Sequence, residues 1–120
     1  MRHNEQSSRQ QKVAGLIRES LVEIFTKAKK LDIRLMNNKI TITDVRVSAD
    51  LRHANCYFLP FGGLSKLEDI EEGLEISKYA IRQQVTEKIN LKFAPELKFF
   101  YDSGAINAMD VEKVIKNLNN

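Results

Sequence analysis

Asp50, His53 and Cys56 stand three residues apart, and by type they are the set in this 120-residue chain closest to a metal site or a Cys–His nucleophile pair. Their setting opposes both. The run Ala54-Asn55-Cys56-Tyr57-Phe58 alternates apolar with more polar side chains, as a strand with one buried face does. Residues three apart on a strand point to opposite faces, so His53 and Cys56 do not converge on one ion or one proton. A surface histidine and a core cysteine are expected instead. The single cysteine forms no internal disulfide, which fits a reducing compartment. Asp44, Asp50 and Asp102 are isolated carboxylates in turn or bulge settings, suited to accepting hydrogen bonds from nearby backbone N–H groups. No Gly-x-Ser-x-Gly elbow and no phosphate-binding glycine loop occurs in the chain. No enzyme, metal or cofactor is expected.

Basic residues point to a different chemistry. Residues 1–64 carry 11 Lys/Arg against 6 Asp/Glu, and residues 65–120 carry 8 against 10. The surplus on the first half suits an anionic partner. Arg46 falls on the polar alternation of a strand, with Arg52 and His53 in or just beyond the turn that follows. Arg9 and Lys12 lie on a first helix, and Lys78 and Arg82 on successive turns of a later one. Each alone reads as a solvated side chain. As a set they are candidates for phosphate contacts, which tolerate sequence and weaken with salt. Phe99, Phe100 and Tyr101 invite comparison with base-stacking platforms. Alternation puts Phe99 and Tyr101 with Leu97 on the expected core face, leaving Phe100 and Tyr57 on the other.

These residues must be positioned by a small α+β frame. Ser7 or Ser8 caps a first helix whose buried stripe is Val13, Leu16, Ile17, Leu21, Ile24, Phe25 and Ala28. A loop from Asp32 to Asn38 leads to a hairpin from Ile40 to Leu59. Its apolar register slips between Ile42 and Val45, and a bulge near Thr43-Asp44 repairs the slip. Pro60-Phe61-Gly62-Gly63 closes the hairpin. Ser65 and Glu68 form a capping-box pattern, followed by a helical stripe of Leu67, Ile70, Leu74, Ile81, Val85 and Ile89. The stripe thins at Ser77-Lys78-Tyr79, where a kink or break is expected. Pro95 bars helix before it, Leu97 to Tyr101 form a third strand, and Met109 to Leu118 a final helix. One domain over residues 1–120 is expected, with residues 1–8 and 119–120 flexible. No apolar run approaches the roughly 20 residues of a membrane span, and the N-terminus has no signal-peptide core.

The order α-β-β-α-(kink)-α-β with a C-terminal helix is that of type II KH domains. The more specific match lies in two blocks. Ile40-Thr41-Ile42-Thr43-Asp44-Val45 with Val47-Ser48 and Asp50-Leu51-Arg52-His53-Ala54 closely resembles the central block of the bacterial ribosome-binding factor A family. Ala94-Pro95-Glu96-Leu97-Lys98-Phe99-Phe100-Tyr101-Asp102 resembles its third-strand block, and Ile81-Arg82 its helix after the kink. The resemblance spans approximately Ser8 to Leu118. It implies a cytoplasmic, non-enzymatic and monomeric assembly factor, associated with growth in the cold. Such a factor binds the free small (30S) ribosomal subunit and assists late maturation of 16S rRNA near its 5′-terminal helix and the decoding region. The alternatives are a general KH-type RNA-binding module and a protein-interaction α+β domain without RNA affinity. One departure stands out: the family's Ala-x-Gly kink is matched here by Ser77-Lys78-Tyr79, and tyrosine does not reach positive φ as cheaply as glycine.

Overall fold

In the computed structural model, residues 6–90, 92 and 95–104 are described. Helix α1 (Ser8–Lys27) is followed by a short α2 (Ile33–Asn37), strands β1 (Ile40–Val47) and β2 (His53–Pro60), helix α3 (Leu67–Ile89) and strand β3 (Glu96–Tyr101). The sheet order is β1-β2-β3. The hairpin pair is antiparallel and β2 pairs with β3 in parallel. A parallel pair needs a crossover, and α3 supplies it. The C-terminal helix expected from Met109 to Leu118, and residues 1–5 and 119–120 of the ends expected to be flexible, lie outside the described residues.

Helix α1 starts where its cap dictates. Ser7 Oγ accepts the Gln10 N–H at 3.1 Å, and Gln10 Oε1 accepts the Ser7 N–H at 2.8 Å. This reciprocal pair satisfies two amides that a helix start leaves open. Gln6 and Ser7, expected with the flexible end, are therefore tied down. The Gln6 side-chain amide also donates to the Val47 carbonyl, and the Val47 N–H donates back to Gln6 Oε1 at 3.2 Å.

Burial follows the periodicities. Ile17, Leu21, Ile24, Ile70, Ile81 and Val85 from the two long helices meet Val47, Ala54, Cys56 and Phe58 from the sheet, all essentially inaccessible. Each large side chain buried this way contributes roughly 1.5–3 kcal/mol. Leu97, Phe99 and Tyr101 pack partly buried against the same core. The described helices occupy one face, so Arg46, Tyr57, Lys98 and Phe100 stand on the other.

The bulge sits where the register slips. Ile42 pairs with Phe58 and Asp44 with Tyr57, leaving Thr43 out of register between them. The Thr43 hydroxyl donates to the carboxylate of Asp102, which is 1% exposed just beyond β3. Asp44 Oδ1 accepts the Val45 N–H at 2.9 Å, closing the bulge from inside.

Three expectations change. The loop from Asp32 to Asn38 contains α2, because Asp32 caps it by accepting the Arg34 N–H at 3.0 Å and Leu35 is buried. Ser65 is not a cap: a 3₁₀ turn at Leu64–Lys66 precedes α3, whose first residue follows Lys66 without a side-chain cap. Helix α3 is also one uninterrupted element through Ser77-Lys78-Tyr79. No residue there has positive φ, and Ser77 faces inward, buried, with a partner of its own across the helix pair.

Candidate nucleic-acid interface

Between α3 and the outer edge of β3 lies a groove of about 530 Å³. The parallel pairing puts β3 at the sheet edge, and α3 packs beside it, so the groove is set by the crossover itself. Leu74, Leu97 and Phe99 line its apolar part, while Lys78, Arg82 and Lys98 bring cations to it. Glu71, Glu75 and Glu96 bring acids. Two aromatics, Tyr79 at 75% exposure and Phe100 at 41%, complete it.

The cations are not loose. Lys78 Nζ donates to Glu75 Oε1 at 2.8 Å and sits 5.7 Å from the centre of the Tyr79 ring. The Glu75 carboxylate holds the Lys78 ammonium above its ordinary pKa, so it stays charged. Arg82 lies one turn on, half-buried against the groove. Phe100 stacks beside Tyr57 on the open sheet face, ring centres 5.6 Å apart and tilted by 31°. Lys98 pairs in register with Asn55, and Asn55 with Arg46, so one rung spans the sheet with a cation on each outer strand.

The hairpin tip joins the groove at one end. Asp50 Oδ1 accepts the Arg52 N–H at 3.0 Å and the Ser48 hydroxyl at 2.6 Å. Ser48 Oγ in turn accepts the His53 N–H at 3.1 Å. The Ser48 hydroxyl and the Arg52 amide hold the Asp50 carboxyl below the usual carboxylate range. Glu96, on the groove wall, donates its N–H to the Arg52 carbonyl at 2.8 Å, and its carboxylate lies 3.6 Å from His53 Nδ1. Lys78, Arg82, Arg52 and His53 thus gather along the β3 side.

The remaining candidates lie elsewhere. Arg46 is on the opposite edge strand, and Arg9 and Lys12 are exposed on the first turns of α1. The seven basic candidates are two groups. Lys98 and Arg18 were missed, although strand alternation placed Lys98 beside the exposed Phe100. Arg18 reads as an ordinary solvated helix residue, and only the docking of α1 beside β1 brings it near Arg46.

The metal-like trio is separated as strand parity requires. His53 is exposed, whereas Cys56 is buried on the inner face, where burial pushes its thiol up to about 12. Among the described residues no group of three or more His, Cys, Asp or Glu side chains is placed to hold a metal ion. None of the described helices is long and apolar enough to cross a membrane.

The profile of the ribosome-binding factor A family matches residues 9–115. The chain belongs to the ribosome-binding factor A family. The Rickettsia bellii (strain OSU 85-389) ribosome-binding factor A is 50% identical over 117 residues, covering 98% of this chain and 95% of that protein. A Thermotoga maritima protein solved by NMR superposes with a TM-score of 0.64 at 21% identity, over 82% of this chain and 91% of that one. Thermus thermophilus ribosome-binding factor A, as fitted into a cryo-EM map of a 30S complex, gives a TM-score of 0.59 at 20% identity, over 72% and 88% of the two chains. The mixed three-stranded sheet with its helices on one side is the type II KH-like fold of this family.

Proposed function

We propose that this protein is a cytoplasmic, monomeric and non-enzymatic assembly factor. It binds the free small ribosomal subunit and assists late maturation of 16S rRNA, near the 5′-terminal helix. The observation that carries this reading is the α3–β3 groove, where Lys78, Arg82 and Lys98 converge with exposed Tyr79 and Phe100 in a chain of the ribosome-binding factor A family. The 30S complex of the Thermus relative supports the choice of partner.

The groove suggests how RNA is held. A KH domain with a glycine loop lets backbone approach the phosphates. Here α3 continues through that position, so side chains replace backbone as the contact. Lys78 and Arg82 meet phosphates as charges, and Tyr79 and Phe100 offer faces to unstacked bases. Glu71, Glu75 and Glu96 repel a phosphate backbone laid indiscriminately along the groove. Those acids favour a defined path over general RNA affinity.

Sedimentation through a sucrose gradient tests this. The protein is expected to travel with free small subunits and not with translating ribosomes. Equal retention by unrelated RNA of the same length leaves only a general RNA-binding module. No retention on subunits removes the proposal altogether.

A further inference from the structure

Gly15 has no structural reason to be glycine within the described molecule. It lies inside α1 with helical backbone, since Gly63 is the glycine with positive φ among the described residues. A methyl group placed on it meets no atom within 4 Å. A glycine in a helix interior destabilises the helix relative to alanine, and neither a turn nor a close packing contact offsets that cost here. The missing side chain leaves a hollow of about 200 Å³ between α1 and β1.

The walls of this hollow are polar and partly fixed. Arg18 flanks Gly15 one turn on, Gln11 one turn before, and Arg46 stands across from it on β1. Asp44 is the carboxylate present, and its Oδ1 accepts the Val45 N–H. Gln11 donates to the Gln6 carbonyl at 2.8 Å, while Gln6 is bonded to both backbone groups of Val47. Arg18 and Arg46 thus line the hollow from two elements, together with the α1 backbone left uncovered at Gly15, at the sheet edge opposite the α3–β3 groove.

We propose that this hollow receives a phosphate of an RNA strand other than the one in the groove. The glycine admits the sugar–phosphate backbone close to α1, and Arg18 and Arg46 neutralise it. With cationic sites on both outer strands, the protein bridges two segments of the same folded RNA. This rests on the proposed binding to the small subunit, and goes beyond it by naming a second contact.

The test uses the full chain with Gly15→Ala and Gly15→Leu. Both side chains enter open space and favour helix, so the melting temperature is expected to rise by a few degrees. Affinity for free small subunits, and for purified 16S rRNA, is expected to fall about tenfold or more for Gly15→Leu and less for Gly15→Ala. Arg18→Gln is expected to lower the slope of log affinity against log salt by about one phosphate contact. Wild-type affinity in a folded Gly15→Leu overturns this inference while leaving small-subunit binding intact. Loss on the intact subunit but not on naked 16S rRNA assigns the hollow to a protein partner, and overturns the RNA occupant.

Discussion

Ser77 Oγ, buried in the middle of α3, accepts the backbone N–H of Asp32 at 2.8 Å. Asp32 is the N-cap of α2, so one hydroxyl fastens the start of one helix to the flank of another. One turn before, Gly73 allows the close approach: a methyl there would lie 3.0 Å from Leu35 Cγ and 3.1 Å from Arg34 Cβ. The position matched to the family's kink is thus a bracket in this chain. Arg34 adds an ion pair to Glu72 at 3.6 Å on the solvent side.

Breaking the bracket is expected to cost stability at both positions. Ser77→Ala leaves the Asp32 N–H without its acceptor, at a cost of about 1–2 kcal/mol. Gly73→Ala gains helix propensity but forces α2 outward, for a net cost of about 1–2 kcal/mol. Urea unfolding of the two variants checks this. An unchanged midpoint for both removes the bracket as a stabilising contact.

The bulge makes a second prediction. Thr43 donates to buried Asp102 across 59 residues, joining β1 to the end of β3. Thr43→Val or Asp102→Ala is each expected to cost about 1–3 kcal/mol, because a buried polar group loses one of its hydrogen bonds. In the double variant the two costs should fall short of additivity by about 1 kcal/mol or more. A double-mutant cycle by thermal unfolding measures the shortfall, and strict additivity means the two groups do not interact.

A third concerns acid. Glu23 Oε1 lies 2.7 Å from Lys27 Nζ and 3.0 Å from Lys88 Nζ, tying α1 to α3. Hydrogen bonds from Lys27 and then Lys88 lower its pKa from 4.5 to about 2. A depressed carboxylate stabilises the fold above its unfolded pKa, and that contribution disappears as pH falls through the folded value. Glu23→Gln is therefore expected to melt slightly below wild type at neutral pH, with the gap closing between pH 4.5 and about 2. The pair is exposed, so molar salt should close the gap as well. Melting curves across that range that stay parallel contradict the linkage.

Much of this was legible in residue patterns because burial enforces period. The slip between Ile42 and Val45 announced the bulge, and the alternation through Cys56 and Phe58 announced the inner face. The pattern failed where tertiary contacts decided the outcome. Five residues of α2 are too few to show a period, and their helix depends on Asp32, Leu35 and the surface of α3. Ser77 thinned the apolar stripe and so suggested a break, yet a buried serine with a partner leaves the helix whole. Pairing across the sheet, invisible in any one segment, separated Arg46 from Lys78 and Arg82 and brought Lys98 beside the latter.

Charge reversal in the groove separates an RNA-binding face from a merely solvated one. Lys78→Glu combined with Lys98→Glu alters two cations of the groove while leaving the buried core untouched. Co-sedimentation with free small subunits at physiological salt is expected to fall at least tenfold, with a melting temperature close to wild type. A folded double variant that still travels with the subunit as wild type does would contradict the assignment of the α3–β3 groove as the RNA-binding face.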